Sequence, residues 1–161
     1  MDGIAIRQTI WRCGVGHTLD ADHLPHTLLP QNAFSRGMPD HGVELADQLE
    51  ELVTLHDASN IAAVIVEPFS GSAGVVVPPK GYLQRLRQLC DSCNVHYIAD
   101  EIAVGFGRTG RMFANEHAGV APDLLCLSKG ITGGYMPLAV VLTHDDIYQA
   151  FYDDYDSLKA F

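Results

Sequence analysis

Ile61-Ala62-Ala63-Val64-Ile65-Val66 is an unbroken apolar run, rich in β-branched residues, that stops at Glu67-Pro68. A strand with one face in water alternates apolar and polar residues, whereas a strand covered on both faces does not. The run therefore reads as an inner strand of a parallel sheet. Three shorter apolar stretches repeat the pattern at 95–99, 124–127 and 138–142; the first two end at Asp100-Glu101 and Ser128-Lys129. Between the first two strands, Leu83, Leu86, Leu89 and Cys90 fall at helical spacing, with Arg85, Arg87 and Gln88 expected to face water. Upstream, Leu45, Leu49, Leu52 and Val53 predict an amphipathic helix over 43–56, and a helix with an acidic start is expected over 145–152. A short helix is expected between the second and third strands. Strands alternating with helices imply an α/β fold with a mainly parallel sheet covered on both faces.

Residues 1–41 lack such periodicity. Gly14, Gly16, Pro25, Pro30, Gly37 and Pro39 break them up, and His17, His23, His26 and His41 are interspersed, so the stretch reads as long connecting loops. No internal repeat or linker divides the chain.

The chain has 161 residues, 47% hydrophobic and 19% charged, which suits one soluble domain or a large piece of one. A formal net charge of −10 argues against a nucleic-acid or anionic-membrane partner. The apolar runs are too short to span a bilayer and the N-terminus lacks a signal-peptide pattern, so a cytoplasmic protein is expected. Four cysteines without secretory context read as reduced thiols.

In open α/β sheets ligands sit beyond the carboxyl ends of the strands. That rule singles out Glu67, Asp100-Glu101, Ser128-Lys129 and Thr143. Gly105-Phe106-Gly107-Arg108-Thr109-Gly110 fits G-x-G-x-x-G, but its first glycine comes well after the strand end and no acid ends a second strand about 20 residues on. An oxidoreductase binding a dinucleotide is thus the weaker enzyme reading. The strand ending in Asp100-Glu101 also imitates the magnesium-holding strand of nucleotide hydrolases, without the phosphate loop that chemistry needs. Cys90-Asp91-Ser92-Cys93 has zinc or dithiol spacing, yet Cys13 and Cys126 form no second pair; two small thiols at a helix end are the simpler account, and no metal is expected. The eight histidines show no ligand spacing and read as solvated loop positions. Asp100 and Lys129 remain, each ending an apolar strand and separated by about one strand-helix-strand unit. Gly130, Gly133 and Gly134 near Lys129 would let a flat ligand approach closely, although a lysine after a strand can also simply reach for water.

The blocks from Asp100 to Gly110, Ala121-Pro122-Asp123, Ser128-Lys129-Gly130, Gly133-Gly134 and Pro137-Leu138-Ala139 together resemble the signature of class III, pyridoxal-phosphate-dependent aminotransferases. Glu67-Pro68 fits the same pattern. From His23 through Leu83 the wording is similar to omega-amino acid:pyruvate aminotransferases. From about Ile98, including the closing segment Ile147 to Asp154, it is more similar to the diaminopelargonate synthases of biotin formation.

The resemblance implies part of the large domain of a fold-type I pyridoxal-phosphate transferase over residues 1–161, with the family's N-terminal segment and C-terminal subdomain absent. It implies that Lys129 would link its amine to the cofactor aldehyde, be displaced by the amino substrate, and then carry the proton as general base and acid. Asp100 would pair with the pyridine nitrogen and Ile102 would pack on one ring face, two residues on along an extended segment. Ala103 falls where many relatives have a glutamine near the ring hydroxyl. The partners implied are a small amino donor, a keto acid or aldehyde acceptor, and a second copy of the chain in a homodimer. Glu101 and Arg108 are expected to form a loop-fixing ion pair. The non-enzyme alternative is an inactive fragment that binds a partner subunit.

Overall fold

The structure, a computed structural model, describes residues 9–12 and 20–152. Its strands are β1 (Thr9–Arg12), β2 (Asp20–His23), β3 (Ile61–Val66), β4 (His96–Asp100), β5 (Leu124–Leu127) and β6 (Val140–Thr143), and its helices are α1 (Gln48–His56), α2 (Tyr82–Cys93) and α3 (Asp145–Phe151). They form one six-stranded sheet in the order β2-β1-β3-β4-β5-β6. The centre, β3-β4-β5, is parallel, as the apolar runs predict. The flanks are antiparallel: β1 against both β2 and β3, and β6 against β5.

Several local expectations change. The stretch read as loops contains β1 and β2; Cys13, Gly14, Gly16 and His17 lie outside the described residues, as do Asp153 and Asp154. The helix expected over 43–56 starts as a 3-10 turn, Val43–Asp47, before α1 takes over. Thr143 does not join the other strand ends, because β6 runs backwards: Thr143 pairs with Leu124 at the start of β5 and its hydroxyl donates to the Asp123 carbonyl at 3.1 Å. A parallel return is usually carried by an α-helix, and the connection 128–139 from β5 to β6 holds a 3-10 turn but no α-helix.

Pairing register sorts the side chains. Val64 lies beside Tyr97 and Val66 beside Ala99, all fully buried, and α2 lays Tyr82, Leu83, Leu86, Leu89 and Cys90 against this face with Leu49 of α1 behind. Each such large side chain withdrawn from water contributes about 1.5–3 kcal/mol. The opposite face carries Ile65, Ile98, Leu124 and Cys126, which are only half-buried, so the expected two-sided cover is complete on one side alone among the described residues.

Arg87 does not face water as its helical position predicts. Its guanidinium donates to Asp123 at 2.7 Å, pairs with Asp91, and lies 5.4 Å from the centre of the Tyr97 ring. Pairing and stacking satisfy a charge that would otherwise oppose burial. α2 ends where Asn94 turns left-handed at φ +55° and the Val95 N–H returns to the Cys90 carbonyl at 2.9 Å. Cys90 and Cys93 are free thiols one turn apart at that helix end. No helix among the described residues is long and apolar enough to cross a membrane.

Candidate active site

Parallel β3, β4 and β5 deliver their carboxyl ends to one edge. Asp100 closes β4 directly beside Cys126 of β5, and Lys129 follows three residues further on. Glu67 follows β3 on the same edge. The Cys126 thiol is pushed up from its ordinary value by burial and then by the negative charge of Asp100, as expected for neighbours on one face.

The chain turns immediately after Asp100. The Ile102 N–H donates to Asp100 Oδ1 at 3.0 Å, closing a local turn, so the segment is not extended and Ile102 is presented by a bend. Glu101 is fully buried, and Arg108 is not its partner. Its oxygens accept the Ala114 N–H at 2.6 Å, the Asn115 N–H at 2.9 Å and the Asn115 side-chain amide at 2.8 Å. Three fixed donors at the start of the 3-10 turn Ala114–His117 meet the needs of a buried carboxylate better than one flexible guanidinium. Asn115 Oδ1 in turn accepts the Tyr97 hydroxyl at 2.9 Å, and burial pushes that phenol up.

Lys129 opens the 3-10 turn Lys129–Thr132 with φ +38°, a left-handed conformation that residues with side chains adopt only under local constraint. The Ser128 hydroxyl donates to the Leu138 carbonyl at 2.7 Å and the Thr132 hydroxyl to the Met136 carbonyl at 2.8 Å, tying this turn to the approach to β6. Lys129 and Gly130 line a cavity of about 370 Å³ with Ala103, Gly105, Phe106, Gly107 and Arg108. Asp100 and Ile102 do not line it. A second hollow of about 270 Å³, walled by Pro68, Phe69, Val77, Pro78, Leu83 and others, meets Arg108 and contains neither Asp100 nor Lys129.

The glycine run from Gly105 to Gly110 is a succession of turns and opens no helix, which removes the geometry a dinucleotide pyrophosphate requires. No cluster of three potential metal ligands occurs among the described residues. Sequence reasoning missed Phe106, whose ring packs on Gly130 beside Lys129. Its signal was the Gly-Phe-Gly triplet, read for nucleotide binding and as part of the family signature but not for this contact.

The sequence pattern of the family described as Aminotransferase class-III matches residues 9–154. The chain is 56% identical over 133 residues to the omega-amino acid–pyruvate aminotransferase of Pseudomonas putida, covering 82% of this chain and 30% of that protein. It is 46% identical over 121 residues to the adenosylmethionine-8-amino-7-oxononanoate aminotransferase of Geobacter sulfurreducens, covering 74% of this chain and 26% of that protein. The omega transaminase from Pseudomonas jessenii, solved in complex with PMP, superposes with a TM-score of 0.66 at 36% identity over 73% of this chain and 26% of its own. The chain thus spans less than a third of the length of these relatives.

Proposed function

Because the chain belongs to the class III aminotransferases, we propose that it forms the cofactor-holding edge of a pyridoxal-phosphate enzyme that moves an amino group from a small amino donor to a keto acid. The observation that carries this reading is the delivery of Asp100 and Lys129 to one edge by adjacent parallel strands. The residues present fit the group. Lys129 lines a cavity whose walls include Gly105, Gly107 and Gly130, where a planar group meets backbone rather than side chain, and Asp100 stands at the same strand-end edge without lining that cavity.

When bound, pyridoxal phosphate supplies the aldehyde that takes up the amino group and a ring that draws electrons from the substrate carbon. Lys129 Nζ is proposed to hold the cofactor and then to take and return the proton at the substrate carbon. The Asp100 carboxylate is proposed to keep a proton on the ring nitrogen, and Ile102 to pack against one ring face. The higher identity over a longer stretch favours the omega-amino acid:pyruvate type over the oxononanoate type. A second copy of the chain is proposed as partner, following the family expectation.

The test is incubation of the chain with pyridoxal phosphate, borohydride reduction and peptide mapping. A covalent mass increment confined to Lys129, absent from Lys129→Ala, is expected; increments spread evenly over the lysines would refute the assignment.

A further inference from the structure

Building on the reading of Lys129 as the cofactor-bearing lysine, we propose that Phe106 is a positioning residue that clamps the backbone around Lys129 and so aims its amine. The loop after β4 touches the chain on both sides of that lysine. On the near side, a Cβ at Gly105 would stand 3.0 Å from the Glu101 carbonyl oxygen and 3.1 Å from Leu127 Cδ2, so the loop backbone presses against the last residue of β5. On the far side, a Cβ at Gly130 would stand 2.8 Å from Phe106 Cδ2 and 3.1 Å from its Cβ, so the ring rests directly on the Gly130 backbone. Leu127 and Gly130 bracket Ser128-Lys129.

Phe106 is itself held. Its φ is +64°, as constrained as that of Lys129. Its N–H donates to the Met112 carbonyl at 2.8 Å, and its ring meets Phe113 edge-on at 6.0 Å between centroids. Gly105 is anchored by its N–H to the Glu101 carbonyl at 2.8 Å, and the Glu101 side chain is buried on the 114–115 amides. Phe106 remains 37% exposed, a poor position for a residue whose purpose is core packing. Two non-glycine residues in left-handed conformations thus line one cavity, one of them carrying the amine. Strain of this kind persists where the surroundings fix a geometry that function uses.

The test uses the full chain and pyridoxal phosphate as an amine probe, trapped with borohydride and mapped by mass spectrometry. Lys80, exposed and paired with Asp40, is the internal reference. Lys129 is expected to be modified faster than Lys80. Phe106→Ala should slow modification of Lys129 at least about tenfold, toward the Lys80 rate, while Lys80 and the thermal midpoint stay unchanged. Phe106→Leu should restore most of the rate. Gly130→Ala, which drives a Cβ into the ring, should also slow Lys129, and the double variant should lose less than the product of the two single losses. Should Phe106→Ala unfold the chain, Gly130→Ala decides by the same criterion. A selective Lys129 whose rate Phe106→Ala and Gly130→Ala leave within about twofold overturns the positioning role alone. A Lys129 no faster than Lys80 in the unsubstituted chain overturns the cofactor reading and the positioning role with it.

Discussion

Glu101 Oε2 accepts the N–H of Ala114, thirteen positions further along the chain, at 2.6 Å, with no surface of Glu101 open to water. This carboxylate fastens the end of β4, and so Asp100 beside it, to the turn at Ala114–His117. Glu101→Ala would leave two backbone N–H groups and the Asn115 amide without an acceptor. The expected loss is about 3 kcal/mol or more, given the strength of hydrogen bonds to a charged acceptor and the cost of stranding their donors. Urea unfolding measures it, and a change below about 0.5 kcal/mol would show that the network is dispensable.

Asp123 links α2 to the sheet. Burial alone would raise its carboxyl, but the bonds from Arg87 and the Tyr97 N–H, with the charge of Arg87, outweigh this and hold it below its ordinary value of 3.8. A depressed carboxyl stabilises the fold above its ordinary value, and the contribution disappears as the pH falls through the lower folded value. Asp123→Asn should therefore flatten the acid limb of a stability-against-pH curve below about pH 4. An acid limb as steep as that of the unsubstituted chain would contradict the linkage.

Asp100 and Cys126 are paired in register, and the carboxylate is the second cause, after burial, of the raised Cys126 thiol. Asp100→Asn should lower the Cys126 pKa part of the way toward 9.0, because burial remains. The pH dependence of Cys126 alkylation reads this out without any cofactor. A profile that does not move would mean that the two side chains do not share a face.

Burial pushes the Cys90 thiol up to about 12. In the folded chain it should resist iodoacetamide at pH 8 while the partly exposed Cys93 reacts, and both should react in urea. Equal native rates at the two positions would refute the packing of α2 against the sheet.

Much of this was legible in the sequence because burial leaves apolar runs. β3, β4 and β5 and the apolar stripe of α2 announce themselves in that way. β2 does not: Asp20-Ala21-Asp22-His23 has no apolar pattern and is a strand only through its pairing with β1. The direction of β6 was hidden as well, since an apolar run carries no arrow and the reversal goes with a connection that forms no crossover α-helix. Asp100 and Lys129 could be singled out because chemistry-bearing side chains at strand ends are visible as letters. The partner of Glu101 was not, because backbone N–H groups belong to every residue and the nearby Arg108 was the only evident countercharge. Phe106 was missed because its influence passes through the backbone of Gly130 rather than through any polar group.

β6 also sets how the chain can be handled. Among the described residues it is the last strand of the sheet, bonded to β5 along one side only, and Val141 and Leu142 are more than half exposed. An open rim of unspent amides with greasy teeth invites another polypeptide to zip alongside. Concentrated solutions of the isolated chain are therefore prone to stack rim to rim, and a lysine or proline placed on that rim would be the first remedy for keeping it dispersed.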